Sequence, residues 1–385
     1  MRRSSPPAPR GAWSNHRGLT DGSYQDEALS VDYFCQDAKT AFEAKCEAQR
    51  IAFAPMVFQA CRLLRKYGLL EQVHRSGAVG LTLSEIVSAA TLPPYGVKVL
   101  MESGLGIGVF RLNEGRFILN KLGYFVMRDP MTHANMDMVH DVCYRGLFLL
   151  DEALEQGRPA GLKTLGDWRT LYEGLPSMPP HVRQSWLTFD HYYSDQAFPA
   201  ALPLVFADRP KRLLDVGGNT GKWAVQCARF DRSVRVTIVD LPQQLDSARK
   251  AIRQHGLEDR VEFLALDLLD EAQALPNGYD VIWMSQFLDC FSEPEIVSIL
   301  RRAARALGDH GTLHTLELFW DRQPNETAAF CLQQTSLYFT CIANGTSQMY
   351  HSADLLRCFA ESGLAIVEER DQIGQYHTWL KCRRS

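Results

Sequence analysis

The stretch Leu214-Asp-Val-Gly-Gly-Asn-Thr-Gly221, continued by Lys222-Trp-Ala-Val-Gln-Cys-Ala228, decides the fold. An apolar strand runs into a glycine turn and then a helix. Gly217, Gly218 and Gly221 leave bare backbone where a Cβ would block the approach of a ligand. The run reads D-x-G-G-x-x-G, without the G-x-G-x-x-G spacing of pyrophosphate-binding folds or the Lys-Ser/Thr of a P-loop. Around it, Arg212–Val216, Val234–Val239, Val261–Ala265, Tyr279–Met284 and Thr312–Leu316 read as short buried strands separated by helical patterns. That alternation predicts an α/β fold with a Rossmann-like doubly wound sheet, whose ligand sits beyond the carboxyl ends of the strands.

Three acids stand at successive strand ends, namely Asp215, Asp240 in Thr237-Ile-Val-Asp-Leu-Pro242, and Asp267. Unpaired buried carboxylates are costly, so packing alone does not account for them. A carboxylate at the second strand tip can accept both hydroxyls of a ribose, and one at the third can meet an adenine amino group. An adenosine-type ligand follows, and with the acids at ligand positions no metal site is expected.

Upstream, Val31 to Leu70 is apolar at helical spacing, with Phe34, Phe42, Ile51, Phe53, Val57 and Phe58 interrupted by Pro55. Two helices are predicted there. They carry more large apolar groups than one hairpin can bury, which points to a homodimer. Thr82 followed by Glu85 has capping-box spacing and opens a short helix; Leu92-Pro-Pro-Tyr-Gly opens another, and Gly106 to Leu119 suits a hairpin around Asn113-Glu-Gly115. That order is a winged helix-turn-helix. Residues 71–130 hold six Lys/Arg against five Asp/Glu, so no basic stripe invites nucleic acid, and a dimerisation role is expected instead. Residues 131–200 are helical and aromatic, suited either to plain core or to the wall of a flat pocket.

The chain has 385 residues, long enough for two or three units. The expected organisation is a disordered tail at 1–28, an all-helical winged-helix dimerisation and substrate-lining domain at 29–195, and a ligand-binding sheet domain at 196–385. A net charge of -4, from 41 basic and 45 acidic residues, gives no broad attraction to nucleic acid or an anionic membrane. Ten cysteines without a C-x-x-C pair suggest free thiols in a reducing compartment. The N-terminal arginines have no apolar segment behind them, and no long uncharged apolar stretch follows, so a cytoplasmic location without membrane association is expected.

LLDVGGNTG, VDLP, the strand-end Asp267 and WMSQFLDCFSEPE, behind a winged-helix layout, resemble the S-adenosylmethionine-dependent small-molecule O-methyltransferases typified by plant caffeate and acetylserotonin enzymes. The resemblance spans roughly residues 31–385. Its glycine motif and DLP strand are specific, while the N-terminal half is similar in layout. It implies S-adenosylmethionine as cofactor, a small-molecule acceptor and a homodimer. Gly217 and Gly218 would face the methionine and ribose part of the cofactor, Asp240 with Leu241 the ribose, and Asp267 with Leu268 the adenine; Asp215, Gly221 and Ser285 would complete the set.

Methyl transfer is an in-line displacement, so the protein must align nucleophile and methyl and remove the proton of a hydroxyl. In the family that base is a histidine, in a pattern like W-M-K-x-x-x-H-D-W. Here Trp283-Met-Ser-Gln-Phe-Leu-Asp-Cys-Phe291 puts Asp289 at the histidine, Cys290 at the next acid and Ser285 at the lysine. With ordinary values near ~6.5 for His and ~3.9 for Asp, the exchange makes proton removal harder by about 3.5 kcal/mol unless burial raises the aspartate. Asp289 also precedes Ser292-Glu-Pro-Glu295, a capping-box helix start that favours its ionised form.

Three readings stand. Asp289 is a base with a raised pKa; or it orients a hydroxyl while His191, on a segment matching the family helix over the cofactor, takes the proton; or the nucleophile is an activated ring carbon rather than an oxygen. Glu317 matches the family glutamate that steadies the catalytic histidine. Tyr192, Tyr193, Phe287, Tyr338 and His351 are candidate pocket residues. The alternatives outside methyl transfer are a cofactor-binding regulator using the winged helix and a family variant with non-methyl chemistry.

Overall fold

The computed structural model describes residues 34–385, so the tail expected at 1–28 lies outside the described residues. The first described helices, Ala41–Ala52 and Ala54–Lys66, occupy the stretch expected to form two, and a third, Leu69–Arg75, comes after them. The helix Ala41–Ala52 buries no residue; Phe42 is 75% exposed and Met56, on the next helix, 70%.

The winged helix-turn-helix forms as expected. The strands β1 (Leu81–Thr82), β2 (Phe110–Asn113) and β3 (Arg116–Leu119) make a small antiparallel sheet in the order β1-β3-β2. Between β1 and β2 lie the helices Leu83–Ala89 and Pro94–Ile107. Thr82 and Glu85 close the capping box that starts the first of these. Leu64, Leu69, Val73, Ile86 and Met101 form the core of this unit, fully removed from solvent. The domain is thus helical with a three-stranded wing, rather than all-helical.

The second sheet has seven strands, β4 (Arg212–Val216), β5 (Arg235–Asp240), β6 (Val261–Ala265), β7 (Tyr279–Ser285), β8 (Leu307–Glu317), β9 (Leu364–Ile373) and β10 (His377–Arg384). Their spatial order is β6-β5-β4-β7-β8-β10-β9. The first five pair in parallel, and β10 is antiparallel to β8 and β9. Strand order therefore reverses between β4 and β7, which opens a crevice beyond their carboxyl ends, where doubly wound sheets bind ligands. Both faces of the sheet are covered. Ile296, Leu300 and Ala303 of the helix Glu293–Ala306 pack against Leu214, Ile282 and Leu313 on one side. Trp223, stacked on Trp283 at 4.0 Å between ring centroids, packs with Ala201 and Val236 on the other.

A long helix, Pro180–Val205, joins the two halves. Val182 and Trp186 lie in a helical cluster with Val142, Leu171, Leu332 and Tyr338, whereas Ala197, Phe198 and Leu202 belong to the core of the seven-stranded sheet. The boundary expected between residues 195 and 196 therefore falls inside one continuous helix rather than at a linker.

Candidate active site

A cavity of about 490 Å³ opens at the crevice between β4 and β7 and is roofed by the long helix and by residues 169–175. Its floor comes from the glycine turn. Gly217 has φ +73°, a conformation that side chains rarely adopt, and a Cβ there would collide with the Phe287 ring. At Gly218 a Cβ would stand 2.9 Å from Asp215 Oδ2, so bare backbone lets the chain turn over the acid beneath it. Gly221, at φ +77°, begins the helix Lys222–Phe230 but does not itself line the cavity.

Asp215 is 2% exposed, and its Oδ2 has no hydrogen-bond partner among the described residues. Burial, and then the Asp240 charge, push its carboxyl up to about 8. Asp240 accepts from the backbone N–H of Asn219 at 2.8 Å and of Leu241 at 2.7 Å. Its pKa still rises to about 6, because burial outweighs those hydrogen bonds. Asp267 accepts from Leu269 N at 2.9 Å and meets Arg169 Nη2 at 3.3 Å. Leu241, Leu268 and Ser285 line the same cavity, and Ser285 Oγ is buried without a partner among the described residues.

Beyond β7 the chain passes through Gln286 in the left-handed conformation, φ +46°, and then the short turn Leu288–Cys290. Glu317, at the end of β8, holds this turn: its Oε1 accepts from Phe287 N at 3.2 Å and Leu288 N at 3.1 Å. Asp289 faces the cavity at 6% exposure with Cys290 Sγ 3.4 Å from its Oδ1. The helix start at Ser292 carries the expected capping box, with Glu295 accepting from Ser292 N at 2.8 Å. Burial nevertheless dominates, pushing the Asp289 carboxyl up to about 7. Burial, and then the Asp289 charge, raise the Glu317 carboxyl as well.

His191 lines the cavity, its Nε2 3.2 Å from Thr220 Oγ1 and its Nδ1 3.5 Å from Asp195 Oδ1. Phe287 and Tyr338 also line it, and Tyr338 Oη accepts from Trp186 Nε1 at 2.8 Å. Like Gly221, four further expected residues stand off the cavity wall. Tyr192 and Tyr193 do not line the cavity, because the neighbouring positions Asp190 and His191 take the inward face of the helix; Tyr193 Oη donates to Asn135 Oδ1 at 3.0 Å. His351 is instead the cap of the helix Ser352–Glu361, its Nδ1 accepting from Ala353 N at 3.0 Å. Glu317 likewise stands behind the turn rather than on the cavity wall.

Sequence reasoning passed over Asp190, Asn219 and Arg169. Asn219 Nδ2 donates to Asp190 Oδ2 at 3.0 Å, and Arg169 joins Glu173 at 2.9 Å as well as Asp267. Asn219 sits inside the glycine motif and Asp190 next to His191, so both were within reach of the motif reading. Nothing in the sequence around Arg169 marks it. Among the described residues, no group of three or more His, Cys, Asp or Glu is arranged to hold a metal ion, and no helix is long and apolar enough to cross a membrane.

A doubly wound sheet with acids at three strand ends and a second, acid-bearing turn facing the same cavity has the features of a nucleotide-cofactor-binding crevice. Residues 45–117 match the Dimerisation2-like domain and residues 201–360 the O-methyltransferase domain, together more than half of the chain. The chain belongs to the S-adenosylmethionine-dependent O-methyltransferase family with an N-terminal dimerisation domain.

It is 23% identical over 265 residues to the L-tyrosine C(3)-methyltransferase of Streptomyces lavendulae, covering 68% of this chain and 71% of that one. Over 111 residues it is 32% identical to the 3-hydroxy-5-methyl-1-naphthoate 3-O-methyltransferase of Streptomyces sahachiroi, covering 29% and 32%. The S-adenosylmethionine-dependent methyltransferase SibL, in its apo form, superposes with a TM-score of 0.67 at 26% identity over 87% of this chain and 98% of that one. An O-methyltransferase from neocarzinostatin biosynthesis, in complex with S-adenosylmethionine and 2-hydroxy-5-methyl naphthoic acid, shares the fold with a TM-score of 0.63 at 21% identity, over 91% and 100%.

S-adenosylmethionine suits the residues present. It carries two cationic centres and a ribose diol, and the cavity offers the unpartnered Asp215 carboxyl, the Asp240 carboxylate and a glycine cradle that a Cβ at 217 would fill.

Proposed function

We propose that this enzyme methylates a small aromatic or polyketide-type acceptor at a hydroxyl oxygen or an activated phenol ring carbon, with Asp289 as the general base in the place of the family histidine. The observation that carries this reading is the burial of Asp289 on the cavity wall, which lifts its carboxyl to about 7. That is close to the ordinary value of ~6.5 for histidine, so the enclosure offsets the loss of base strength that the exchange would otherwise cause.

When bound, the cofactor supplies an electrophilic methyl on a sulfonium, and the sulfur departs neutral. Asp215 and Asp240 would hold the charged and ribose parts, with Asp267, Leu268, Leu241 and Ser285 completing the set. Tyr338, Trp186 and Phe287 present flat apolar walls to an aromatic ring. For an oxygen acceptor, the hydroxyl proton passes to the Asp289 carboxylate as the new C–O bond forms. For a ring carbon, the Asp289 carboxylate takes the phenol proton, the phenolate directs attack from the adjacent carbon, and that carbon then releases its hydrogen as a proton to solvent while the phenol is restored. Glu317 positions the Asp289 turn through two backbone N–H groups and does not touch the acceptor.

His191 is the weaker candidate for base, since both ring nitrogens already face protein partners. It orients Thr220 at the glycine turn. The homodimer is assigned to the N-terminal domain, where the exposed face of the helix Ala41–Ala52 lies. The relatives divide between carbon and oxygen methylation, so the position of transfer is tested directly. The protein is incubated with methyl-labelled cofactor and a panel of hydroxyaryl compounds, and the product is assigned by NMR as methoxy or aryl-methyl. Release of S-adenosylhomocysteine with a methylated product supports the reading. Cofactor binding without turnover favours the regulator, and altered acceptor without S-adenosylhomocysteine favours non-methyl chemistry.

A further inference from the structure

The charge balance of the cavity bears on the chemical class of the acceptor, an inference that rests on the methyl-transfer reading. Arg169 and Lys222 are the Arg and Lys residues lining the cavity, and both are already paired. Arg169 joins Glu173 and Asp267, and Lys222 Nζ lies 2.5 Å from Asp195 Oδ2. Asp215, Asp240 and Asp267 stand at the cofactor strand ends, and Glu295 is closed into its capping box. Two aspartates remain, Asp190, which has His191 Nδ1 3.9 Å from its Oδ2, and Asp289.

Asp190 projects from the long helix one turn beyond Trp186 and next to Phe189, both of which line the cavity. Its Oδ2 takes one hydrogen bond, from Asn219 Nδ2. Burial raises its carboxyl, and through Asn219, whose backbone N–H donates to Asp240, it adjoins the cofactor end of the cavity that Asp289 also lines. An acceptor bearing a carboxylate would add a negative charge to this enclosure, with no free Arg or Lys to meet it. A cation would relieve it.

We infer that the acceptor is a hydroxyaryl compound carrying a protonated amine, and that Asp190 is the specificity-determining residue that receives the ammonium group while Asp289 takes the proton from the reacting hydroxyl. The two carboxyls then have separate duties, one as a counter-ion and one as a base.

The test uses matched sets of hydroxyaryl compounds on one- and two-ring scaffolds, identical except for an aminoethyl, a hydroxyethyl or a carboxyethyl arm. Binding to the full chain loaded with S-adenosylhomocysteine is measured by calorimetry, and methyl transfer with labelled cofactor. The amine is expected to bind at least about tenfold more tightly than its neutral partner, and the carboxylate more weakly than either. In Asp190→Asn, the amine preference is expected to collapse, by a larger factor than any change in cofactor affinity. Carboxylates that bind as well as amines in the wild-type protein overturn the inference without need of the variant, as does failure of any amine to bind. A variant that weakens all three arms equally, or weakens the cofactor instead, also overturns it. Transfer to all arms without preference removes this inference and leaves the methyltransferase reading intact. Selective amine binding with no transfer to any compound counts against the methyltransferase reading instead.

Discussion

At residue 289 an exchange in the sequence and an enclosure in the fold act in opposite directions. The proposed exchange was legible, because the W-M-x-x-x-x-D spacing resembles the family pattern and puts Asp289 at the position expected for its histidine. The helix start at Ser292 argued for an ordinary, ionised carboxylate. What the sequence did not carry is the depth of burial, which comes from the Gln286 bend, the Glu317 anchor and the aromatic roof, brought together from three separate segments. On the proposed reading the ionised Asp289 carboxylate is the base, so kcat/KM for a phenolic acceptor is expected to fall about tenfold per pH unit below a midpoint near 7. A profile flat down to about pH 5 would reject an aspartate base of this kind. Asp215 and Asp240 titrate in the same direction. Their folded values, about 8 and about 6, lie above the ordinary value near 3.9, so the stability they contribute is full below about pH 4 and is lost as pH rises through those values. The cofactor-free protein is therefore expected to melt at a lower temperature near about pH 8 than near about pH 5. A cation beside Asp215 favours its ionised form. Cofactor affinity measured by calorimetry should accordingly rise across that interval, and Asp215→Asn should both weaken it and flatten the dependence.

Among the elements, the turn after β7 depends on Glu317 for its shape. Glu317→Gln keeps an oxygen for the Phe287 and Leu288 N–H groups, so a loss of less than about tenfold in kcat is expected. Glu317→Ala leaves those donors unpaired in a buried place and should cost about 1–3 kcal/mol of stability, together with most of the activity. Thermal melts and rates on the two variants separate shape from charge; equal losses in both would mean that the carboxyl charge itself matters. The strands that carry the cofactor acids were readable because their apolar runs end in an acid or a glycine turn, and the observed Arg212–Val216 and Val261–Ala265 keep the expected bounds. β9 and β10 were not foreseen. Val367-Glu-Glu-Arg-Asp-Gln in β9 lies at the sheet edge with its residues largely exposed, so it lacks the alternation that marks a half-buried strand. The left-handed Gln286 was hidden for a related reason, since glutamine is not a residue type that signals a turn.

Across the whole molecule, the two-part layout was visible in the change from helical to strand-and-helix patterning, while the continuous helix across the boundary was not. Its two ends bury different faces in different cores, which blurs a single apolar stripe. The exposed Phe42, Ile51 and Met56 on the outer helices call for a partner surface, and a second copy is the expected one. Combining Phe42→Asp with Met56→Asp should shift the light-scattering mass from dimer to monomer, and a variant that stays dimeric would move the interface elsewhere. The central claim, that an enclosed aspartate performs the base role in methyl transfer, is tested most directly by single-turnover methyl transfer in Asp289→Asn with saturating cofactor and a productive acceptor. The account predicts a loss of about 10²–10⁴-fold in the transfer rate, with cofactor affinity unchanged. A variant that transfers methyl at the wild-type rate would contradict it.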